Sequence, residues 1–345
     1  MYPAIAYAKA FQRHDPDGHI LFVGAGKAVE RNILSQEGFP VESVQVEGFV
    51  GKSIRSMVRA LWLLPQSVAQ AIQILRSSKT DLVIGTGGYF SPPVVFAAWL
   101  LRIPRVILEP NAMPGLANRV LGPLANRIFL AFESAKSFFS LSKVRVIGTP
   151  IRQAFVLDHP PALPQQVRHL LIFGGSQGAR AINSAVLEAL ERSEILRSAI
   201  TLTHQTGTDD FERVRQGYEQ QGVQATIQPF LFDMPQELAK ADLVVCRAGA
   251  STLAELAAYG KVGLLIPFAQ ATHNHQEMNA RSMVKAGAAR MLRQADLNGQ
   301  TLANEIEKMM QDIPALQAMA RKSWEARNIH ATEHMVRECL ALVPQ

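Results

Sequence analysis

Short apolar runs alternate with longer stretches of helical period along the whole chain. Ile20–Val23, Leu82–Ile84, Val106–Leu108, Ile128–Leu130 and Val144–Ile147 read as buried strands, and Ile54–Arg76 has the 3.6-residue period of a helix. A second series follows with Leu170–Phe173, Ile200–Gln205, Ala225–Gln228, Leu243–Cys246 and Gly263–Ile266. It alternates with helical segments near Ala181–Arg192, Met234–Lys240, Thr252–Tyr259 and His275–Ala286. Strand–helix alternation at this spacing predicts parallel, doubly wound sheets and hence an α/β fold. Between the two series lies Asp158–Pro164 (DHPPALP), where three prolines in seven residues predict a linker. Two Rossmann-like halves joined there would put a cleft between them, each half binding ligands at the carboxyl ends of its strands. Trp324–Leu342 is helical in period and is expected to pack back across that cleft.

Length agrees with this division: 345 residues is too long for one domain and suits two of ~150. With 48% hydrophobic and 19% charged residues there is material for two cores and no sign of disorder. The two cysteines, Cys246 and Cys339, are far apart and lack CxxC spacing. That excludes a disulfide framework or structural zinc site and suits a reducing cytoplasm. No signal peptide is visible, and the longest apolar stretch, Pro92–Leu101, is too short for a membrane span of ~20 residues. A soluble or peripheral protein is expected. The formal charge of +6 predicts acidic partners, either phosphorylated substrates or anionic lipid. Nucleic acid ranks last, because the basic residues are scattered and no aromatic platform or binding motif accompanies them.

The chemistry is concentrated at strand-to-helix turns. In Leu170–Asn183 (LLIFGGSQGARAIN) a strand runs into Gly174-Gly175-Ser176-Gln177-Gly178 and a helix starts near Ala179. Glycines let backbone approach an anion, and a helix N-terminus supplies free N–H groups and a positive dipole end. A diphosphate fits that geometry, with the Ser176 hydroxyl as a further donor. The pattern is neither GxGxxG nor GxxxxGK[ST], which disfavours nicotinamide cofactors and Walker-type nucleotide hydrolysis. Taken alone, the turn is equally a tight packing element, and so is its counterpart Gly85–Pro93 (GTGGYFSPP) in the first half.

Cys246–Leu256 (CRAGASTLAEL) allows two readings. Ser251 or Thr252 can cap a helix, with Thr252-Leu-Ala-Glu255 as a capping box. Alternatively Glu255 accepts the two ribose hydroxyls of a nucleotide, as acidic residues do in other α/β nucleotide sites. Pro267–Arg281 carries His273, His275 and Gln276, and without a third ligand at suitable spacing a polar cleft loop is favoured over a metal site. Asp209-Asp210 does not form a DxD arrangement at a strand end. Lys52–Leu75 combines Lys52, Arg55 and Arg59 with Met57, Leu61, Trp62, Leu63 and Leu64. Such a segment either faces a core or lies on an anionic membrane surface, and Pro65 is expected to interrupt it.

GGSQGAR, CRAGASTLAEL and HQEMNAR, together with GTGGYFSPP, LEPNAMPGLANR and GTPIR, occur here in the order found in the MurG family of bacterial glycosyltransferases. The chain resembles that family over essentially its whole length. The resemblance implies the GT-B fold, two Rossmann-like doubly wound domains facing a cleft. Residues 1–151 would form the acceptor-binding and membrane-associating domain, with a C-terminal helix at about 325–345 packing on it. Residues 152–324 would bind the donor. The implied activity is inverting transfer of N-acetylglucosamine from UDP-GlcNAc to the 4-hydroxyl of undecaprenyl-linked lipid I, with no cofactor and no metal. It implies peripheral attachment to the cytoplasmic face of the inner membrane, in the company of the cell-wall synthesis and division machinery.

Carried over by position, the resemblance gives Glu255 the ribose hydroxyls. It surrounds the nucleotide with Ala250, Ser251, Thr252, Leu253 and Ala254, and it puts a backbone contact to uracil at Leu231. Ser176 would meet the diphosphate, Gln276 the sugar, and Arg152 and Asn111 would complete the donor site. The segment with Trp62 matches the region proposed for membrane association. Family members open with a strand and a GGTGGH turn ahead of a Pro-Ala helix, and Met1-Tyr2-Pro3-Ala4 matches the start of that helix. The turn's histidine, the family's usual general-base candidate, thus lies outside this sequence, leaving Tyr89 and Glu109 as acceptor-side candidates. The expectation is a mis-assigned start ahead of a shortened paralogue, with weak donor binding and poor turnover by the chain as given. A UDP-sugar epimerase, a glycolipid synthase of the same fold and a non-catalytic nucleotide-sugar or lipid-binding paralogue stay open as alternatives.

Overall fold

The computed structural model describes residues 2–25, 28–46, 54–271 and 274–343, with side chains undescribed at 2–3, 28–30 and 54–62. It divides into two compact units, Met1–Arg152 with His330–Gln345, and Gln153–Ile329. The first unit runs α1 (Tyr2–His14), β1 (Phe22–Gly24), α2 (Ala28–Gln36), β2 (Val41–Ser43), α3 (Ile54–Ser77), β3 (Val83–Gly85), α4 (Ser91–Leu100), β4 (Arg105–Glu109), α5 (Leu116–Leu121), β5 (Arg127–Leu130) and β6 (Val144–Val146). The second runs β7 (His169–Phe173), α6 (Arg180–Arg192), α7 (Glu194–Ser198), β8 (Thr201–Gln205), α8 (Phe211–Gln220), β9 (Ala225–Gln228), α9 (Met234–Lys240), β10 (Leu243–Cys246), α10 (Ala250–Ala258), β11 (Val262–Leu265), α11 (His275–Lys285), β12 (Ala289–Met291), α12 (Gly299–Gln311) and α13 (Ile313–Glu325). The last helix, α14 (Ala331–Leu340), returns to the first unit.

In the second unit six parallel strands lie in the order β12-β11-β10-β7-β8-β9. Chain order reverses between β7 and β10, the arrangement of a doubly wound nucleotide-binding sheet. Leu243, Val244, Val245 and Cys246 of β10 are all fully buried, as a strand covered on both faces requires. Leu170, Ile172, Leu202, Val245 and Leu264 share one core with Ile182 and Val186 of α6 and Leu302 and Ile306 of α12.

The first unit holds a four-stranded parallel sheet, β3-β4-β5-β6, and a separate parallel pair, β1-β2. Met335 and Cys339 of α14 bury themselves beside Tyr7, Val106, Leu108, Phe129 and Ile147. That packing ties the C-terminal helix to this sheet.

Several expectations need correction. Pro65 does not interrupt α3, which continues to Ser77. A proline inside a helix removes one backbone donor at a cost of ~3 kcal/mol, and tertiary contacts offset it here. The Ser67 hydroxyl donates to the carbonyls of Leu63 and Gln45, and the Gln45 N–H donates to Gln70 Oε1 at 3.0 Å. The proline-rich segment 158–164 is not the boundary but part of the second unit. Leu163 packs on its core, and the Pro164 carbonyl accepts from Gln317 Nε2 at 3.0 Å. The short strands β2 and β12 escape the apolar-run criterion because half or more of their residues are polar or small. Trp324–Leu342 is two helices with a break at 326–330.

A buried polar network joins α6, β8 and α8. The amide Nδ2 of Asn183 donates to the Thr206 carbonyl (2.9 Å) and to Asp210 Oδ2 (2.7 Å). Its Oδ1 must therefore accept from Nε2–H of His204 at 3.1 Å, which leaves Nδ1 of His204 to accept from the Tyr218 hydroxyl, also 3.1 Å. Burial drives the His204 pKa down to about 3, only partly countered by Asp210. The ring is thus neutral when folded, whereas an unfolded histidine takes up a proton below ~6.5. A depressed pKa makes this contribution complete above that value and erodes it as pH falls towards 3. The slope is up to about 1.4 kcal/mol per pH unit. Urea unfolding between about pH 4 and 7 should show that slope, and His204→Gln should flatten it. Equal slopes in the two proteins would refute the assignment.

Candidate functional site

The turn after β7 is shaped by three glycines for separate reasons. Gly175 (φ +95°) and Gly178 (φ +75°) lie in the left-handed region, and a Cβ on Gly174 would stand 2.3 Å from that of Ala179. The Gly178 N–H closes the turn on the Gly175 carbonyl at 2.9 Å, which puts Ser176 and Gln177 at the exposed corner. Against it runs the segment after β8. A Cβ on Gly178 would meet the Thr206 carbonyl at 2.0 Å, and one on Gly207 would meet the Gln177 carbonyl at 2.3 Å. Only glycine at both places lets these two backbones touch.

At the other side of the switch point the chain leaves β10 through Arg247-Ala248-Gly249 into α10. Gly249 is the N-cap, and no side chain caps the helix. The capping-box reading of Thr252 and Glu255 is therefore wrong, since the helix starts at Ala250 and places Glu255 in its second turn. Ser251, Thr252, Ala254 and Glu255 are half-buried, whereas Ala250 and Leu253 are buried. Helix α6, whose N-cap is Ala179, likewise has no side-chain cap. Two helix N-termini without side-chain caps thus follow β7 and β10, and such ends attract anions.

Loops after β10 and β11 are stitched to α11. Nη1 of Arg247 donates to the carbonyls of Ile266 (3.0 Å) and Pro267 (3.3 Å), and its guanidinium lies over the Phe268 ring. Burial lowers its pKa to about 10, so it stays charged at neutral pH. Asn279 Nδ2 donates to the Ala248 carbonyl at 3.2 Å, and Gln276 Oε1 accepts from the Phe268 N–H at 3.0 Å. His275 and Gln276 open α11, whereas His273 lies outside the described residues. Asp210 serves the Asn183 network, held ionised first by the Arg213 hydrogen bond.

Leu231 follows β9, buried, and donates its N–H to Gln205 Oε1 at 3.0 Å. Gln205, Arg247 and Asn279 were not singled out in the sequence. The signal for Gln205 was a polar pair, His204-Gln205, ending a buried strand two residues before a glycine.

In the first unit the turn after β3 and the loop after β4 meet. Gly87 (φ +86°) would bring a Cβ to 3.3 Å from the Asn118 amide, and Ser91 Oγ donates to the Gly87 carbonyl at 2.7 Å. Glu109, expected to look towards an acceptor, is 1% exposed. Its carboxylate accepts from the N–H and Nδ2 of Asn111 (3.0 and 3.1 Å), the Gly115 N–H (2.9 Å) and Asn118 Nδ2 (2.9 Å). That arrangement makes it the organiser of the 110–118 loop. Tyr89 stands exposed in the turn before α4. Arg152 is half-buried at the end of this unit. Lys52 lies outside the described residues. Arg55, Arg59 and Trp62 lie on α3 with undescribed side chains, and Leu63 and Leu64 are half-buried.

Comparison with known proteins places this geometry. Residues 1–130 match the N-terminal domain of glycosyltransferase family 28, and residues 169–335 match its C-terminal domain. The UDP-N-acetylglucosamine–N-acetylmuramyl-(pentapeptide) pyrophosphoryl-undecaprenol N-acetylglucosamine transferase of Myxococcus xanthus is 41% identical, aligned over 100% of this chain and 90% of its own. The crystal structure of Acinetobacter baumannii MurG superposes with a TM-score of 0.79 at 27% identity, covering 99% of this chain and 95% of that one. The UDP-GlcNAc 2-epimerase of Neisseria meningitidis shares the fold alone, with a TM-score of 0.66 at 13% identity over 99% and 96% of the two chains. On its sequence and its two-unit α/β architecture, the chain belongs to glycosyltransferase family 28, among the MurG enzymes.

Proposed function

We infer that this protein moves N-acetylglucosamine from UDP to the 4-hydroxyl of the muramoyl sugar in undecaprenyl-pyrophosphoryl-MurNAc-pentapeptide, with inversion. The observation that carries this reading is the pair of uncapped helix starts beside the glycine turn at the β7/β10 switch point, in a chain 41% identical to such a transferase. In the reaction the acceptor oxygen bonds to the anomeric carbon as the bond from that carbon to the β-phosphate oxygen breaks, and the hydroxyl proton passes to a general base or to water. UDP leaves carrying the extra negative charge. The Ser176 turn and the α6 N-terminus face that charge, and donors preorganised for developing charge supply the larger part of such catalysis. Glu255 would hold the ribose, Leu231 the uracil, and Gln276 the transferred sugar, with the Ala250–Ala254 turn around the nucleotide. Asn111 and Arg152 are further donor-site candidates by their positions in the family motifs. Positioning of this kind lowers the barrier by removing orientational freedom.

A carboxylate that accepts ribose hydroxyls contributes about 1.5–3 kcal/mol. Glu255→Ala should therefore weaken UDP binding roughly 10- to 100-fold in calorimetric titration. The wild type should prefer UDP to 2′-deoxy-UDP, and the variant should bind both alike. Unchanged UDP affinity in the variant would undo the ribose assignment.

We further propose peripheral attachment to an anionic membrane surface, the cytoplasmic one, where nucleotide sugars are available. Among the described residues no helix is long and apolar enough to cross a membrane. Helix α4, however, leaves Phe96, Trp99 and Leu100 exposed, with the rings of Phe96 and Trp99 stacked at 5.4 Å, and Arg102 follows in the open. Aromatic side chains with nearby cations suit the headgroup region. A net charge of +6 adds long-range attraction. Full-length protein should sediment with phosphatidylglycerol-containing vesicles at low salt. Phe96→Ser with Trp99→Ser should reduce the bound fraction several-fold while leaving UDP affinity intact. Equal sedimentation of the variant would count against this surface.

A further inference from the structure

We propose that Gln205 is a positioning residue of the donor site, its side-chain amide fixing the diphosphate turn relative to the backbone that meets the base. The inference rests on the nucleotide reading above. Strand β8 lies between β7 and β9, so its last side chain can reach the segments leaving both neighbours. Gln205 is 2% exposed, and it spends both ends of its amide in this way. Nε2 donates to the Gly175 carbonyl at 2.7 Å, inside the glycine turn, and Oε1 accepts from the Leu231 N–H at 3.0 Å.

Two chemical consequences follow. The bridge needs one donor and one acceptor held about two ångströms apart on a planar group, which an amide supplies and a carboxylate or hydrocarbon does not. In addition, Leu231 has its N–H engaged inward, so the carbonyl is the backbone group it offers a base. A carbonyl accepts from the N3–H of uracil, whereas cytosine presents a lone pair at N3. Gln205 thereby sets both the spacing of the two subsites and which backbone group of Leu231 reads the base.

Titration of the full chain and two variants with UDP tests this. Gln205→Glu keeps the acceptor for Leu231 but turns a charged oxygen towards the Gly175 carbonyl. UDP affinity at about pH 8 should drop roughly 10- to 100-fold. The buried carboxylate next to a carbonyl titrates above the ordinary ~4.3. Once protonated it donates to Gly175, so the deficit relative to wild type should shrink as pH falls. That recovery runs against the loss of stability expected from His204, and a merely structural defect would not produce it. Gln205→Met, close in shape but without the hydrogen bonds, should stay weak at every pH and lose preference for UDP over CDP. Wild-type protein that fails to bind UDP would overturn the nucleotide reading and this inference together. Wild-type protein that binds, with Gln205→Glu matching it at every pH, would overturn the role of Gln205 alone.

Discussion

The switch-point turn of the second unit depends on one backbone crossing, where Gly178 lies against the Thr206 carbonyl and Gly207 against that of Gln177. Two chains can touch there only because neither carries a Cβ, and the contact sets the shape of the turn in front of α6. A buried carbonyl at such a crossing needs a donor, and Asn183 supplies one to Thr206 from the first turn of α6. Neutral His204 then fixes the orientation of that amide, and Tyr218 fixes His204. A half-satisfied network in this position would be worse than an apolar one, because each buried polar group left unpaired costs 1–3 kcal/mol. The network is closed, and it reaches Arg213 at the surface through Asp210.

The first unit solves a similar problem with a charge. Glu109 ends β4 and turns its carboxylate back into the loop that follows, where two backbone N–H groups and two side-chain amides meet it. A loop of this length has few backbone partners of its own, so a single buried carboxylate replaces the ladder that a strand would have supplied. Asn118 belongs to the same cluster and also donates to the Leu108 carbonyl at 3.0 Å, which anchors α5 to the end of the sheet. Its amide then sits against Gly87, so the glycine turn after β3 takes its shape from a residue 31 positions later in the chain.

Apolar runs such as Leu243–Cys246 were legible because a strand covered on both faces has little choice of composition. Glycine turns were legible as turns, and the family resemblance gave them a ligand. What local reading missed has a common cause. Pro65, the prolines of 158–164 and the Thr252–Glu255 pair were each judged by local propensity, and each was overridden by tertiary contacts or by a helix start two residues earlier. Gln205 and Glu109 could not be read for a different reason. Their partners lie on segments leaving other strands, or on a loop whose course only the fold decides, and a lone polar residue at a strand end carries no record of what it will face.

Side-chain capping is distributed unevenly over the second unit. Helices α7, α9, α12 and α13 begin under side-chain caps from Ser193, Asp233, Asn298 and Asp312. Helices α6, α8, α10 and α11, which follow the four inner strands β7, β8, β10 and β11, have none. Each missing cap forgoes about 1 kcal/mol, and at α8 the residue type is right but the Asp210 carboxylate is engaged elsewhere. Of the capped helices, α9 and α12 follow the two edge strands, β9 and β12, whereas α7 and α13 follow other helices. Helix starts without side-chain caps are thereby gathered at the carboxyl end of the sheet's interior, where their dipoles add. Such helix starts suit negative oxygens, and an anionic ligand bound there would raise local stability as it binds.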